Sequence, residues 1–315
     1  MRVVFMGSPE FAVPCLRALV EKHEVALVVS QPDKPAGRGG QLTAPAVKTA
    51  ALELGLPIAQ PTSARTGELR DALVATNAEL AVVVAYGKIL PLPVLTALPR
   101  GCINVHGSLL PSYRGAAPIQ WSVINGDAET GVAIMQLDEG MDTGPVFLER
   151  RTPIDPAETS GDLMTRLAPI GAAALLEAID GIAAGTLTAR PQDHANATHA
   201  RMLEKSDGFI DFAQPAHLVA ARIRGVDPWP GAQATLRGQV VKLFRARSDQ
   251  AAAIEPTQPG TVLAIDDAGA HIAAHGGAIT VREIQAPGRK RLTAQQFAAG
   301  RGIAVGDVLA TPEPT

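Results

Sequence analysis

The stretch Leu80-Ala81-Val82-Val83-Val84 decides the fold class of this chain. An apolar run without a polar face is typical of a strand that is buried on both sides of a parallel sheet. Outward from it, strand-like runs alternate with segments whose apolar residues recur at helical spacing. This alternation predicts an α/β fold with a doubly wound parallel sheet. The predicted strands of this half are residues 3–6, 24–30, 57–59, 80–84 and 102–106, and the predicted helices are residues 11–22, 46–55 and 67–76.

The second half of the chain has a different pattern. After a long Ala/Leu helix over residues 160–185, a polar stretch broken by Pro191 predicts a linker over residues 186–205. Beyond it, short strand-like runs are separated by glycine and proline, which is typical of a small β-barrel of the oligonucleotide-binding (OB) type. We therefore predict two domains, over residues 1–185 and 206–310, joined by this linker.

Composition limits the class of protein. With 315 residues and 46% apolar content, the chain is long enough for two packed domains. A net charge of −3 does not by itself indicate a polyanionic partner. Cys15 and Cys102 make neither a zinc motif nor a disulfide framework, which favours a reduced, cytoplasmic protein. No segment approaches ~18 uninterrupted apolar residues, and residues 1–7 predict a first strand rather than a signal peptide. We expect a monomer with no metal and no membrane span.

Three polar side chains at the ends of predicted strands form a candidate catalytic group. Asn104 and His106 lie two residues apart on one strand, so both point to the same side of the sheet. Asp142 lies on the loop over residues 138–145, between two later predicted strands. An amide donor, an imidazole and a carboxylate can together hold a carbonyl oxygen, move a proton and keep the imidazole oriented. With no nucleophilic side chain or metal cluster alongside, the group favours direct acyl transfer between two bound molecules.

Each of these residues also has an ordinary structural interpretation. Asn104 can cap a turn after a strand, and a histidine such as His106 on an apolar strand is more often a core residue with satisfied hydrogen bonds. Asp138 and Glu139 compete with Asp142, because all three acids lie in one loop. Sequence spacing leaves these alternatives open.

The loop over residues 31–40 is rich in proline and glycine and carries Lys34 and Arg38. It lacks the Gly-Lys-Ser/Thr ending of a phosphate loop and the glycine pattern of a dinucleotide site. At the carboxyl end of a parallel sheet, such a loop can reach a nucleic acid, with both cations meeting phosphates. A solvated surface loop is an equal alternative.

Several motifs, taken in order, resemble the methionyl-tRNA formyltransferase family. They are QPDKPAGRG at 31–39, VAYG at 84–87, GCINVHGSLLP at 101–111, YRGAAPIQW at 113–121, GMDTG at 140–144 and PWPGA at 228–232. The likeness covers nearly the whole chain, and the order of the motifs is specific. The chain departs from the family's pattern at Asp227, where Asn often stands, and at His199, where Tyr often stands.

The resemblance implies a formyltransferase fold, with an N-terminal Rossmann-like domain and a C-terminal OB-like barrel that helps to hold tRNA. It implies transfer of a formyl group from the co-substrate 10-formyltetrahydrofolate to the α-amino group of methionyl initiator tRNA, for translation initiation. Asn104, His106 and Asp142 match the family's catalytic positions, and Arg38 matches a tRNA contact. The family's folate-contacting segment matches Ser108, Leu109, Leu110 and Pro111.

Other functions share part of this pattern. Formyltransferases that act on glycinamide ribonucleotide or aminosugars, and dehydrogenase-linked ones, carry similar sites, so the catalytic residues do not separate them. The predicted second domain and the Gly-Ala-Ala-Pro-Ile-Gln run at 115–120 favour the tRNA enzyme. A deformylase that gives the formyl group to water, and a noncatalytic RNA-binding module built on the barrel, stay open as alternatives.

Overall fold

The chain folds into two compact units. The computed structural model describes residues 1–36, 40–249 and 257–313. The first unit comprises Met1–Pro118, Gly131–Thr152 and Met164–Ala200, and the second comprises Ile119–Thr130, Pro153–Leu163 and the described chain from Arg201 on. The domain boundaries predicted from the sequence, at residues 185 and 205, stay predictions.

Strands and helices alternate along the first two thirds of the chain, as the apolar pattern predicts. In chain order they are β1 (Arg2–Gly7), α1 (Val13–Lys22), β2 (Glu24–Val29), β3 (Lys34–Ala36), β4 (Gln41–Thr43), α2 (Ala46–Glu53), β5 (Ile58–Ala59), α3 (Glu68–Ala75), β6 (Leu80–Val84), α4 (Leu92–Leu95), β7 (Cys102–His106), β8 (Arg114–Gly115), α5 (Pro118–Ile124), β9 (Glu129–Gln136), β10 (Val146–Pro153), α6 (Ser160–Ala184) and β11 (His199–Ala200).

The sheet of the first unit has the strand order β10-β9-β7-β6-β1-β2-β5. The pairs β1–β2, β1–β6, β2–β5 and β6–β7 are parallel, and β9 runs antiparallel to β7. Every residue of β6 is buried, because its continuous apolar run packs on both faces of the sheet. The predicted parallel sheet is confirmed for these five strands, and β9 extends it into a mixed sheet.

The strand order also locates the site. The chain runs from β1 through β2 to β5 on one side, and then continues from β6 to β7 on the other side of β1. In open sheets of this kind, ligands bind at the carboxyl ends of the strands near the point where the order reverses. Strand β7 ends at His106, at the same edge of the sheet as the parallel strands beside it.

Helix α6 has the length and composition to cross a membrane, with 25 residues and a mean hydropathy of 1.6. However, 44% of the most apolar 18-residue stretch of α6 is buried inside the protein. The side chains of Leu163, Leu167, Leu175 and Ile179 in this helix are all fully buried. The core helix of a protein that never enters a membrane passes the same test, so α6 is weak evidence for a membrane span.

The second unit holds the remaining elements. They are α7 (Ala216–Gly225), β12 (Ala232–Leu236), β13 (Gln239–Asp249), β14 (Val262–Asp266), β15 (Gly269–Ala274), β16 (Gly277–Gln285), β17 (Leu292–Thr293), α8 (Ala294–Ala299) and β18 (Leu309–Ala310).

These strands form an antiparallel sheet that closes on itself. The order is β14-β15-β16-β13-β12-β18, with β17 paired to β16. Across the two edges, the Val262 N–H donates to the Asp307 carbonyl at 2.8 Å, and the Leu309 N–H donates to the Gly260 carbonyl at 2.9 Å. Gly260 has φ 89°, and a Cβ there would collide with the Leu309 carbonyl, so closure at this point requires glycine. The predicted small C-terminal β-barrel is confirmed.

The carboxylate of Asp207 stabilises the short turn that follows Arg201. This carboxylate accepts from the Arg201 guanidinium at 2.6 and 2.7 Å and from the Glu204 N–H at 2.7 Å. Burial raises the pKa of Asp207. The hydrogen bonds from Arg201 and Glu204, together with the charges of Arg201 and Arg222, outweigh it and hold the pKa below its ordinary value.

We expect Asp207→Asn to lower the free energy of unfolding by about 2 kcal/mol at neutral pH, because hydrogen bonds to a charged group are lost. A carboxyl whose pKa is lower in the folded state contributes its full stability above the unfolded pKa and loses it as the pH falls through the folded value. Urea unfolding should therefore give a higher free energy of unfolding for the native chain than for the variant at pH 7. This difference in free energy should shrink below about pH 4. The exposed Asp267→Asn control should stay within ~0.5 kcal/mol of the native chain. Equal effects of the two substitutions at pH 7 would contradict this prediction.

Candidate active site

Asn104 and His106 lie at the carboxyl end of β7, between two neighbouring strands. Asn104 pairs with Val83 of β6 and with Met135 of β9. His106 is 5% exposed, whereas Asn104 is partly exposed. Within the described part of the chain, the Asn104 side-chain amide makes no hydrogen bond. Its N–H groups are therefore available to a bound molecule.

Both ring nitrogens of His106 face an oxygen atom. Nε2 lies 2.9 Å from the backbone oxygen of Tyr113. A carbonyl oxygen only accepts hydrogen bonds, so Nε2 carries a proton. Nδ1 lies 3.7 Å from Oδ2 of Asp142, which is longer than a direct hydrogen bond. Because Nε2 is hydrogen bonded to the Tyr113 backbone oxygen, the Nδ1 edge of the ring faces Asp142 and the space around it.

Asp142 approaches His106 from the loop between β9 and β10. Its backbone is in the left-handed region, with φ 54°. The carboxylate Oδ2 accepts the Gly115 N–H at 2.8 Å, and the side chain is 16% exposed. Asp138 instead accepts from the Thr143 hydroxyl at 2.7 Å, which closes the same loop on itself. The fold thus brings Asp142, and not Asp138, to the imidazole.

Gln192 contacts this loop, and Arg114 contacts Gln192; the sequence identified neither as a site residue. Gln192 donates to the backbone oxygens of Asp142 and Gly144, and it accepts from Arg114. Gln192 lies in the predicted linker, 50 positions after Asp142. The presence of Arg114 within the YRGAAPIQW motif is the one sequence signal that pointed toward this contact.

The segment from Ser108 to Pro111 packs against the sheet. Ser108 is fully buried, and its hydroxyl donates to the backbone oxygen of Ser112 at 2.6 Å. Leu110 is buried against Met135. Leu110 and Pro111 also line an open cleft of about 830 Å³ in the first unit. The Ser108 hydroxyl is therefore already used inside the protein, and the segment presents apolar side chains to the cleft.

Lys34 lies on the hairpin formed by β3 and β4. Its ammonium group donates to Gln31 Oε1 at 2.6 Å. Gln31 in turn donates to the backbone oxygens of Tyr86 and Gly87, at 2.9 and 3.1 Å. The base of the hairpin is thus joined to the loop that follows β6. Arg38, the other predicted cation of this loop, lies outside the described residues.

The two cysteines are not suited to act as nucleophiles. Cys15 and Cys102 are both buried, and burial raises the pKa of each thiol to about 12. Both are therefore neutral thiols at pH 7. Across residues 1–36, 40–249 and 257–313, no group of three or more His, Cys, Asp or Glu side chains is placed to hold a metal ion.

Comparison with known proteins assigns the family. A family model described as formyl transferase matches residues 1–179, and a second, described as formyl transferase, C-terminal domain, matches residues 202–302. The methionyl-tRNA formyltransferase of Desulfotalea psychrophila is 50% identical over 99% of this chain and 96% of that protein. The chain belongs to the methionyl-tRNA formyltransferase family.

Two further comparisons agree with this assignment. The methionyl-tRNA formyltransferase of Sorangium cellulosum is 45% identical over 98% of this chain and 99% of that protein. A sugar 3N-formyl transferase, solved in the presence of dTDP and 5-N-formyl-THF, superposes with a TM-score of 0.68 at 17% identity, over 92% of this chain and 99% of that chain. This structural likeness shows the fold alone. The predicted family, the formyltransferase fold and the enzyme class are confirmed, and this member of the family is a formyltransferase.

Substitution of Gly115 should disturb the site through the backbone. Gly115 has φ 119°, and a Cβ there would lie 2.7 Å from the backbone oxygen of Ala200. We expect Gly115→Ala to strain β8 and displace the N–H that binds Asp142, lowering the free energy of unfolding by about 2–3 kcal/mol. The rate of formyl transfer by the folded fraction should also fall, because the hydrogen bond to Asp142 is displaced.

Gly238→Ala is the matched control. Gly238 also has a positive φ, 78°, but a Cβ there meets no atom within 4 Å. This variant carries backbone strain alone, which costs about 1 kcal/mol, and should keep native activity. Urea unfolding and a transfer assay on both variants check the prediction, which fails if the two substitutions have equal effects.

Proposed function

We propose that this chain transfers the formyl group of 10-formyltetrahydrofolate to the α-amino group of methionyl initiator tRNA, in the cytoplasm, for translation initiation. The observation that carries the proposal is the placement of Asn104, His106 and Asp142 at one edge of the sheet in a member of this family. An amide donor, an imidazole and a carboxylate at that edge suit acyl transfer by direct attack.

Asn104 and His106 stabilise the negative oxygen in this mechanism. The neutral α-amine of the methionyl group attacks the formyl carbon, and the carbonyl oxygen becomes an oxyanion. Asn104 donates to this oxygen, since its amide is not used by another described residue. One preorganised donor lowers such a barrier by about 2.7–4 kcal/mol. Protonated His106 supplies positive charge beside the same oxygen.

Asp142 orients the imidazole and relays the proton. Because His106 Nε2 donates to Tyr113, the Nδ1 edge of the ring turns toward Asp142. The attacking amine loses a proton, which Asp142 accepts directly or through water and returns to the leaving folate nitrogen. The bond from the formyl carbon to the amine nitrogen forms first and gives a tetrahedral intermediate, and the collapse of this intermediate breaks the bond to the folate nitrogen. No formyl group is attached to the enzyme at any step, and the positioning of two substrates supplies several kcal/mol.

The two substrates use the surfaces around this group. Leu109, Leu110 and Pro111, with Ser108 buried behind them, form an apolar wall for the flat part of the folate. The support for this assignment is that Leu110 and Pro111 line an open cleft. Lys34 and Arg38, within the basic sequence over residues 31–40, contact the acceptor end of the tRNA, and the C-terminal barrel helps to hold it.

A competition assay tests the proposed function. 10-Formyltetrahydrofolate is offered with charged initiator tRNA, with a sugar amine and with glycinamide ribonucleotide, and formyl transfer to each is followed. We expect transfer to methionyl-tRNA. Preferred transfer to either small amine, release of formate to water, or tRNA binding without folate and without turnover would each overturn the proposal.

Substitution of the two donors should slow the chemical step. We expect Asn104→Ala and His106→Ala each to lower the single-turnover transfer rate by about a hundredfold. His217→Ala, an exposed histidine on α7, is the control and should leave the rate unchanged. A loss of less than about tenfold, or roughly 1.4 kcal/mol, at Asn104 or His106 would contradict these roles.

A further inference from the structure

The amide of Gln192 bridges the backbone of the loop that carries Asp142. Gln192 is 8% exposed, and its Nε2 donates to the backbone oxygens of Asp142 at 2.9 Å and Gly144 at 2.7 Å. Its Oε1 accepts from Arg114 Nε at 3.1 Å and Nη2 at 2.7 Å. An amide has two N–H donors and two acceptor positions, so the hydrogen-bonding capacity of Gln192 is fully used.

Arg114 determines which way this amide points. A guanidinium only donates hydrogen bonds, so the amide oxygen of Gln192 must face it and the NH₂ group must face the two carbonyls. Arg114 is 5% exposed, and its Nη2 also donates to Nδ1 of His194 at 3.0 Å. The guanidinium is thus held between two neutral acceptors, and it cannot rotate away without leaving donors unpaired in the interior.

Gln192 and Gly115 hydrogen bond to different groups of Asp142. Gln192 holds the backbone oxygen of Asp142. Gly115, which follows Arg114 in β8, donates its N–H to the Asp142 carboxylate. A residue with a side chain adopts φ 54° only at an energetic cost, so the position of Asp142 requires support from its surroundings. These contacts supply that support.

We propose that Gln192 is a positioning residue for formyl transfer, which holds Asp142 at its distance of 3.7 Å from His106 Nδ1. The inference rests on the proposed function, because Gln192 acts through Asp142. A displacement of reacting groups by about 1 Å can cost a hundredfold in rate, so a residue that touches no substrate can matter to the chemical step.

Two substitutions separate the contacts of Gln192. Gln192→Glu keeps an acceptor for Arg114 but has no N–H for the carbonyls of Asp142 and Gly144. Gln192→Met has a similar length and loses both sets of contacts. At saturating formyl-folate and charged initiator tRNA, we expect each variant to lower kcat by about tenfold or more and to leave KM for both substrates within roughly twofold. If the role of Gln192 is purely structural, the substitutions will lower the unfolding temperature and leave kcat of the folded molecules unchanged.

Gln285→Glu is the matched control for the change of charge and amide chemistry. The amide of Gln285 donates to the backbone oxygen of Arg289 at 2.6 Å, in the second unit. This variant should keep native kcat at saturating substrates, because Gln285 contacts no described residue of the Asp142 loop.

A double-mutant cycle tests whether Gln192 acts through Asp142. In an Asp142→Asn background, Gln192→Met should lower kcat by less than roughly threefold, because the effects of residues that act through one contact do not add. The ¹⁵N resonances of the His106 ring should also move in Gln192→Met and stay at their native positions in Gln285→Glu.

Three outcomes would overturn the inference. They are native kcat in a folded Gln192 variant, full multiplication of the two effects in the double variant, and failure of both Gln192 variants to fold, which would assign the residue to stability. A native chain that does not formylate methionyl-tRNA would instead contradict the proposed function. The His106 resonances in the Gln192 variants would still show whether Gln192 positions the Asp142 loop.

Discussion

The imidazole of His106 is held between two oxygen atoms, and the geometry of the site depends on that constraint. The Tyr113 carbonyl accepts a hydrogen bond from Nε2, so the Nδ1 edge faces Asp142. Tyr113, Arg114 and Gly115 follow one another in the chain. Tyr113 supplies the acceptor for the ring, Arg114 the guanidinium that orients Gln192, and Gly115 the N–H that binds the Asp142 carboxylate. One short segment therefore contacts the His106 imidazole, the Asp142 carboxylate and the amide of Gln192.

Rigid and irregular structure contribute differently to this site. Asn104 and His106 lie on β7, a strand that hydrogen bonds to β6 on one side and β9 on the other, so their separation follows from regular strand geometry. Asp142 lies on a loop and has a left-handed backbone, which regular structure does not stabilise. The hydrogen bonds from Gly115 and Gln192 hold Asp142 in place, as the strand pairing of β7 holds Asn104 and His106. In the proposed mechanism the positions of Asn104 and His106 matter because an oxyanion donor contributes only when it is already aimed at the developing charge.

The arrangement also explains why transfer without a covalent enzyme intermediate suits this chain. The thiols of Cys15 and Cys102 are buried and neutral at pH 7. The Ser108 hydroxyl, two residues after His106, donates to the Ser112 carbonyl and is fully buried. What the site edge does present is the amide of Asn104, which makes no hydrogen bond to another described residue, and the Nδ1 edge of the His106 imidazole. In the proposed mechanism these groups stabilise a tetrahedral oxygen and move protons, and bond formation is left to the two substrates.

The sequence by itself determined the fold class, because continuous and alternating apolar patterns report directly on burial. The run from Leu80 to Val84 predicted a strand buried on both faces, and the short runs beyond residue 206 predicted the barrel. It also determined that Asn104 and His106 share a side of the sheet, since side chains on a strand alternate with a period of two. Only the tertiary structure decided that Asp142, rather than Asp138, approaches the imidazole, and that Gln192 from the predicted linker holds the Asp142 loop. No local period relates positions 142 and 192, because such contacts arise only when distant segments of the chain pack together.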